Sequence, residues 1–347
     1  METQYRRYDI DWLRVIAIGL LLIYHIAIVF QPWGMFIGFI QSPEPIEGLW
    51  KPMTMLNIWR IPLLFFVSGM GVFFAMRKRN IKELLWERTR RILVPLIFGA
   101  VAIVPIHIFI WQKFYLQDFR YMPGRGHLWF LMNIFIYVLV LSPLFSVLQK
   151  NAKNSLKKML SKVLGNPFGL LLIAGPFMLE TILIKPNPYE LYAMTWHGFA
   201  LGFLSFFFGY CFVMVGDIFW KTIYKYRFVN LLIALFLYGM RLYVFNLKAP
   251  GYLMALESII WIYAILAFAY KYLNKPGKIL TYLSKGAYPV YILHMIFLYL
   301  GSLIILPLAL NVFVKLLTII VFSFTGCFAS YELIRRTKIL RPLFGLK

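Results

Sequence analysis

Long apolar runs, separated by short charged or Pro- and Gly-rich breaks, dominate the hydropathy pattern of this sequence. Each run holds about 18–24 residues, the length of an α-helix that crosses a bilayer. The pattern predicts ten membrane spans, near residues 12–30, 54–76, 91–111, 128–148, 168–185, 198–216, 228–246, 253–270, 286–306 and 310–333. The expected fold is all-α, a polytopic helical bundle of about ten transmembrane helices. We expect a single domain over residues 1–347, with no appended soluble domain.

The composition agrees with this pattern, since 61% of the 347 residues are hydrophobic and only 14% are charged. A soluble domain of this length does not have so few charged residues. The formal net charge is +23, but the basic residues lie in short loops between apolar runs, so no nucleic-acid partner is expected. Cys211 and Cys327 both fall inside predicted spans, which argues against a disulfide framework and against a metal site.

Basic residues are unevenly distributed between the two sides that ten spans define. One side carries residues 77–91, the lysines around Lys153, the basic breaks after the sixth and eighth spans, and the tail from Arg335. The opposite loops hold few basic residues, partly balanced by acidic ones. The positive-inside rule therefore places both termini in the cytoplasm. We expect a multi-pass protein of the cell inner membrane, surrounded by membrane lipid.

The first apolar run carries two ionisable residues, Arg14 and His25. Their spacing places them on one helix face, about 16 Å apart along the axis. Asp11 lies three residues before Arg14 and can pair with it. An ionisable group at membrane depth costs about 2.5–3.5 kcal/mol, so it faces a protein interior or a wet cavity. Taken singly, Arg14 also fits an interfacial anchor, and His25 also fits a buried structural histidine.

Further costly residues fall in the outer half of the predicted bundle, at similar depths of several spans. They are Arg60, Glu180, Arg241 and Glu257, with His127 and His197 at the starts of two spans and His294 at mid-depth of the ninth. Two interpretations stay open at this point. The charged residues form buried ion pairs that fix helix packing, or they line a shared hydrated pocket.

Arg88 and Arg91 stand one turn apart at the head of the third span, with Pro95 one turn further. Two guanidinium groups at this spacing can clamp a phosphate group. Ordinary positive-inside charge explains the same residues, so this signal is specific only in combination with other segments.

Six segments together carry a resemblance to a known family. They are DIDWLRVIA followed by His25, RIPLLFFVSG (60–69), RTRRILVP (88–95), HLWFL (127–131), LSKGAYPVYILH (283–294) and YELIRRTKILRPLF (331–344). In this order, the chain resembles the acyltransferase 3 family of integral membrane acyltransferases. Within that family it is most similar to the glucans biosynthesis protein C branch, which succinylates periplasmic glucans.

The resemblance implies a reaction and assigns residues to it. Family members take an acyl group from cytoplasmic acyl-CoA, the donor substrate, and deliver it to a hydroxyl of a glycan or similar acceptor on the far side. His25 matches the family's essential histidine, and Arg14 matches its companion arginine. Arg88 and Arg91 match the R-x-x-R pair that faces the donor.

The physical properties of these residues agree with the assignment. The anionic phosphates of acyl-CoA are expected to dock at Arg88 and Arg91. Neutral His25 can remove the proton of the acceptor hydroxyl, or it can carry the acyl group briefly. Both roles require an oriented, unprotonated imidazole, and Glu180 or Glu257 are the expected orienting partners.

The remaining candidates concern binding of the substrate. His127 and Trp129 are candidate donors to the oxyanion that forms at the thioester carbon. Arg60 and Glu257 match polar positions of the glucan-modifying branch. Arg60 or Arg241 can receive the carboxylate of a succinyl group, and either can equally pair with a glutamate.

A transporter or flippase for a glycan or other polar solute is the alternative function, because a polar pocket inside a helical bundle also suits transport. A scaffold that keeps the fold without activity is a third interpretation. The sequence leaves the acyl group, the acceptor and the oligomeric state open.

Overall fold

The computed structural model describes residues 6–150 and 155–346, so Lys153 of the predicted cytoplasmic loop lies outside the described residues. The described residues form helices joined by loops, and none of them lies in a β-strand. The helices are α1 (Tyr8–Val29), α2 (Trp50–Met76), α3 (Ile81–Arg88), α4 (Val94–Phe98), α5 (Val104–Phe114), α6 (Trp129–Lys150), α7 (Ser155–Leu164), α8 (Pro167–Ile184), α9 (Trp196–Val215), α10 (Asp217–Lys225), α11 (Arg227–Tyr243), α12 (Gly251–Tyr272), α13 (Lys278–Ile305), α14 (Val312–Arg336) and α15 (Leu340–Leu343).

Within the described part of the chain, 9 helical stretches are long and apolar enough to cross a membrane. They coincide with nine of the ten predicted spans, which confirms the all-α, multi-pass fold. The predicted span at 228–246 corresponds to α11, which has only 17 residues and contains Arg241. This length is at the lower limit of about 17 residues for a spanning helix.

The third span is a continuous helical stretch, Ile81–Phe114, that contains two π-helical segments. These segments are Thr89–Leu93 and Gly99–Ile103. Pro95 and Pro105 each follow a π segment by two residues. A proline lacks the N–H of the helical ladder, and a locally widened turn is a common solution. Each wide turn rotates the residues that follow it relative to a regular α-helix.

The chain divides into two compact units. Unit 1 comprises the described residues within Met1–Ala17, Thr54–Trp86 and Asn133–Thr281. Unit 2 comprises those within Ile18–Met53, Glu87–Met132 and Tyr282–Lys347. Helix α1 contributes to both units, so that its first half, with Arg14, belongs to unit 1 and its second half, with His25, belongs to unit 2.

In unit 1, α2 and α9 approach each other backbone to backbone. A Cβ atom on Gly69 would collide with the carbonyl oxygen of Phe206, and one on Gly209 would collide with that of Phe66. Only glycine fits such a contact, and small residues at helix interfaces are common in membrane bundles. The Phe66 ring stacks beside Phe212, with ring centroids 5.3 Å apart.

In unit 2, α13 and α14 pack through glycine–aromatic contacts. A Cβ atom on Gly301 would lie 2.9 Å from Phe322, and one on Gly286 would lie 3.1 Å from Tyr331. The side chain of Asn311 accepts a hydrogen bond from the backbone of Phe313 and caps the start of α14. Helix α13 thus packs against aromatic side chains of α14 at two places, Gly286 and Gly301.

Candidate functional site

The imidazole of His25 forms a hydrogen bond with the imidazole of His294 in unit 2. His25 lies near the end of α1 and is half-buried, whereas His294 lies within α13 and is only 1% exposed. The distance from His25 Nδ1 to His294 Nε2 is 2.9 Å. The ring planes differ by 13° and the ring centroids are 5.1 Å apart. With so short a nitrogen–nitrogen distance, this geometry is an in-line hydrogen bond between nearly coplanar rings.

The tautomers of the two histidines follow from one backbone acceptor. His294 Nδ1 lies 2.6 Å from the carbonyl oxygen of Tyr291, which can only accept, so this nitrogen carries a proton. In the neutral ring, His294 Nε2 then accepts, and the proton between the rings belongs to Nδ1 of His25. The lone pair of His25 is consequently on Nε2, the nitrogen that a general base would use.

Two further histidines extend this cluster. The ring of His127 lies edge-on to His294 with centroids 5.0 Å apart, and the ring of His107 lies 5.5 Å from His127. His127 Nε2 donates to the carbonyl oxygen of Ile292 at 3.0 Å, and the hydroxyl of Tyr291 donates to the His127 carbonyl at 2.5 Å. The one N–H of neutral His127 is therefore already used. A role in donating to an oxyanion requires its protonated form.

The loop after α1 is fixed beside the cluster by two tyrosines. Tyr299 donates to the carbonyl of Gly38 at 2.7 Å, and Tyr115 donates to the carbonyl of Phe39 at 3.2 Å. Gly38 has a φ of +85°, which a residue with a side chain rarely adopts. The ring of Phe39 lies 5.5 Å from that of His25. Burial also raises the pKa of Tyr115, so its hydroxyl stays protonated and able to donate.

The predicted arginine pair lies at the start of the third span, also in unit 2. Arg88 ends α3 and Arg91 lies in the following π segment. Arg91 Nη1 is 3.2 Å from a carboxylate oxygen of Glu87, and the Arg91 side chain is 41% exposed. One guanidinium is thus partly neutralised, and the pair keeps an overall positive charge.

Two residues from later parts of the chain adjoin these arginines. Tyr288 of α13 lies near Arg88, and its buried hydroxyl has no hydrogen-bond partner within the described residues. Gly345, with a φ of +68°, leaves no space for a Cβ, which would lie 2.7 Å from Tyr288 and 2.9 Å from the carbonyl of Arg91. The C-terminal turn therefore packs directly against the arginine pair.

Arg14 lies in the first half of α1, within unit 1. Its Nη1 atom is 3.7 Å from a carboxylate oxygen of Asp11, which confirms the ion pair predicted from their spacing. Its side chain is 37% exposed, and its Nη2 atom would lie 3.8 Å from a Cβ atom on Gly71 of α2. Arg14 and His25 do share one continuous helix, as the sequence predicts.

Arg241 and Glu257 form a buried ion pair in unit 1. The two carboxylate oxygens of Glu257 accept from Nε and Nη2 of Arg241 at 2.8 and 3.0 Å. Arg241 Nη2 also donates to the carbonyl of Thr54 at 3.2 Å, and Nη1 donates to Glu190 at 3.4 Å. Both members of the pair are 1% exposed. This arrangement is the packing interpretation that the sequence left open for these two residues.

A second buried pair in unit 1 joins His197 and Glu180. His197 Nδ1 is 2.8 Å from a carboxylate oxygen of Glu180, and the two residues are 2% and 6% exposed. Thr195 caps α9 by accepting from the backbone of Gly198, which fixes the helical turn that holds His197. Arg60 is also buried in this unit.

Arg60 Nη2 donates to the side chain of Asn57, one turn earlier on α2, at 3.0 Å. Trp129, by contrast, belongs to unit 2, where it begins α6 and is 7% exposed. The predicted site residues are thus divided between the two units: His25, Arg88, Arg91, His127 and Trp129 in unit 2, and Arg14, Arg60, Glu180, Arg241 and Glu257 in unit 1.

The partner of His25 differs from the sequence-based expectation. Glu180 or Glu257 was expected to orient this imidazole, but its hydrogen bond is with His294. The two carboxylates are engaged within unit 1 instead. His107 was not predicted as a site residue, because a single histidine in an apolar span has no distinctive local pattern. Four of the 5 histidines of the chain meet in this cluster, and only the tertiary structure reveals it.

A family model described as an acyltransferase domain, that of the acyltransferase 3 family, matches residues 7–332 of the chain. No curated protein and no solved structure matches the sequence. The match spans both compact units and includes every predicted site residue.

Proposed function

From its membership of the acyltransferase 3 family, which the match over residues 7–332 shows, we propose that this membrane acyltransferase is an O-acyltransferase. It moves an acyl group, succinyl or acetyl, from cytoplasmic acyl-CoA to a hydroxyl of an extracytoplasmic glycan or related acceptor. The ordered motifs favour the glucan-modifying succinyltransferase branch. The charge distribution of the loops favours the cell inner membrane with both termini in the cytoplasm.

The observation that carries this proposal is the composition of unit 2. A single compact unit contains the arginine pair, Arg88 and Arg91, and also His25, whose imidazole is bonded to that of His294. Helix α13 adjoins both places, because Tyr288 lies near Arg88 and His294 bonds to His25. These two positions on α13 are six residues apart, which corresponds to about 9 Å along a helix.

The proposed reaction proceeds in one transfer step. The donor phosphates bind at Arg88 and Arg91 through charge-assisted hydrogen bonds. His25 Nε2 accepts the proton of the acceptor hydroxyl while its oxygen attacks the thioester carbonyl. A C–O bond forms, the C–S bond breaks, and the proton passes from His25 to the departing thiolate of CoA. The products are the acylated acceptor and free CoA, and His25 returns to its starting form.

A two-step route through an acylated His25 gives the same products. In that route Nε2 itself attacks the thioester, so the same tautomer is needed. Rapid acid quenching during turnover, followed by intact-protein mass spectrometry, separates the two routes. An added acyl mass on the wild type that is absent from His25→Ala supports the two-step route, and unmodified protein supports direct transfer.

The roles of the residues in unit 1 belong to the same proposal. Arg14 continues the polar face of α1, and Arg60, Glu180, Arg241 and Glu257 are proposed to bind the acceptor or a succinyl carboxylate. Arg241 already donates to two glutamates and a backbone carbonyl, so a substrate carboxylate would have to displace one of these acceptors.

The first test measures release of CoA thiol by the purified protein, with succinyl-CoA and acetyl-CoA supplied separately together with an acceptor glycan. Loss of a general base lowers the rate by about 10²–10⁴-fold, so His25→Ala should abolish measurable transfer. The thermal unfolding temperature of the variant should stay close to that of the wild type. Full transfer by a folded His25→Ala protein would remove this mechanism.

The second test concerns the donor site. Arg88→Gln and Arg91→Gln should each raise the KM for acyl-CoA by about 10–100-fold, since a hydrogen bond to a charged group contributes about 1.5–3 kcal/mol. Arg90→Gln is the matched control, because Arg90 lies between them and is exposed. Equal effects of all three substitutions would show that only the general positive charge matters.

Mass spectrometry of surface glycans from cells with and without the gene tests the acceptor. An acyl mass difference names both the acyl group and the glycan. A transporter would instead change the amount of an unmodified glycan outside the cytoplasm, and the glycan alone, but not acyl-CoA, would protect the protein against thermal unfolding.

A further inference from the structure

His294 is almost entirely buried, and both of its ring nitrogens have partners. Nε2 faces His25 Nδ1 at 2.9 Å, and Nδ1 faces the carbonyl of Tyr291 at 2.6 Å. The Tyr291 carbonyl lies one turn earlier on the same helix, so backbone geometry alone fixes the His294 tautomer. In its neutral form, His294 therefore presents an unprotonated Nε2 to His25 Nδ1.

The bond between the two rings is suited to proton transfer. The rings are nearly coplanar, and the nitrogen–nitrogen distance is that of an ordinary hydrogen bond, so a proton can move between two groups of the same chemical type. Both partners are imidazoles, so the proton moves between two groups with the same intrinsic basicity.

We propose that His294 is the positioning residue for His25 and the second holder of the proton during acyl transfer. This inference rests on the proposed function. When His25 Nε2 takes the proton of the acceptor hydroxyl, the proton on Nδ1 moves to His294 Nε2. His25 becomes neutral with its proton on Nε2, and the positive charge lies on His294. The carbonyl of Tyr291 accepts from this cation, which stabilises it.

The return of the proton follows the same path in reverse. The thiolate of CoA takes the proton from His25 Nε2, and the proton on His294 Nε2 moves back to His25 Nδ1. No net proton is gained or lost by the pair over one turnover. The pair thus works like a base with a charge-stabilising partner, with the carbonyl of Tyr291 completing the arrangement.

Other titratable groups surround the pair and bear on its pH dependence. On the α1 side, the ring of Tyr24 lies 5.9 Å from that of His25. On the α13 side, Tyr291 lies 5.9 Å from His294. From the start of α6, His127 lies 5.0 Å from His294, and His107 of α5 lies behind it. A positive charge on His127 would oppose a charge on His294, so the proposal requires His127 to be neutral during turnover.

The test compares two substitutions of His294 in the purified full-length protein. His294→Gln offers a carbonyl oxygen to His25 Nδ1 but cannot take a proton. His294→Phe keeps a ring of similar volume and offers neither. We expect kcat to fall about 10-fold or more in the Gln variant and about 10²–10⁴-fold in the Phe variant, with KM for acyl-CoA unchanged.

The pH profile separates this role from a merely structural one. In the wild type, sharing the proton over two rings makes the pair easier to protonate. His294→Gln removes this sharing, so His25 stays unprotonated to lower pH, and the acid limb of kcat/KM should move to lower pH by about one unit. Ser302→Ala is the control, because Ser302 lies on the same helix, is buried, and donates to the carbonyl of Leu298 in the preceding turn. It should leave both kcat and the acid limb as in the wild type.

The outcomes are distinguishable from failure of the proposed function. If His25→Ala abolishes transfer while both His294 variants keep the wild-type kcat and acid limb, the proton-sharing inference is wrong and the function stands. The His294 variants can instead lower the thermal unfolding temperature and reduce kcat by the same factor at every pH. In that case the acid limb of kcat/KM does not move, the role of His294 is structural, and the inference is again wrong. If folded His25→Ala transfers normally, the function itself fails.

Discussion

Removal of the charge of Glu257 should destabilise unit 1 strongly. Glu257→Gln keeps the size of the side chain but removes the charge that faces Arg241, and both residues are 1% exposed. Breaking a buried ion pair by removing one partner costs about 3–5 kcal/mol, since the other charge stays buried. Glu190 remains 3.4 Å from Arg241, so the lower end of the range, about 3 kcal/mol, is expected.

The expected shift in unfolding temperature follows from the size of the chain. Unfolding entropy is about 2.1 cal/mol/K per residue, so a cooperative unit of 347 residues loses about 4 °C for a destabilisation of about 3 kcal/mol. Thermal unfolding of the purified protein in detergent measures this shift. Glu47→Gln is the matched control, because Glu47 is exposed, and it should change the stability by less than about 0.5 kcal/mol.

A double-mutant cycle shows whether the pair itself is responsible. Arg241→Gln should cost a similar amount, and the Arg241→Gln/Glu257→Gln double variant should be more stable than the sum of the single effects predicts, by about 1–3 kcal/mol. Additive effects, or single variants as stable as Glu47→Gln, would refute the conclusion that Arg241 and Glu257 act as one buried unit.

Two further predictions concern packing and pH. Gly209→Ala should lower the unfolding temperature, because a Cβ atom there collides with the backbone of α2 and overpacking costs about 1–3 kcal/mol. Gly175→Ala on α8 should be neutral or slightly stabilising, because a Cβ atom there would meet no other part of the described chain within 4 Å beyond its own helical turn, and equal effects of both would contradict the packing argument. Burial raises the pKa of Glu190, which the charge of Arg241 only partly opposes, so the native state holds its proton to higher pH than the unfolded chain does. Stability should therefore fall as the pH rises from about 4.3 through the raised native value, and thermal unfolding of Glu190→Gln between these pH values should lack that part of the decline.

Much of this architecture could be predicted because hydrophobic runs and charge spacing are local properties. Nine of the ten spans correspond to helices long enough to cross a bilayer, and the Asp11–Arg14 pair follows from three-residue spacing on a helix. The seventh span is shorter than predicted, since α11 ends at Tyr243 and not at residue 246. Arg241, two residues before this end, donates a hydrogen bond to Glu257.

The contacts of the histidines could not be predicted in the same way. His25 and His294 are 269 residues apart in the sequence, and nothing local to either residue identifies the other as its partner. His107 follows two π segments of the third span, and each wide turn changes the direction of the side chains after it, which the sequence pattern does not indicate. The position of each histidine within its predicted span indicates its approximate depth in the membrane. Its hydrogen-bond partner, however, depends on the direction of the side chain in the folded protein.

The backbone contact between α2 and α9 limits how unit 1 can change shape. The Gly69–Phe206 and Phe66–Gly209 contacts hold two antiparallel helices at two points along their lengths. Sliding by a single residue would bring a side chain into the place of a glycine, so the two helices are expected to move together as one rigid pair. Any change of shape within unit 1 is therefore expected to come from its other helices moving around this pair.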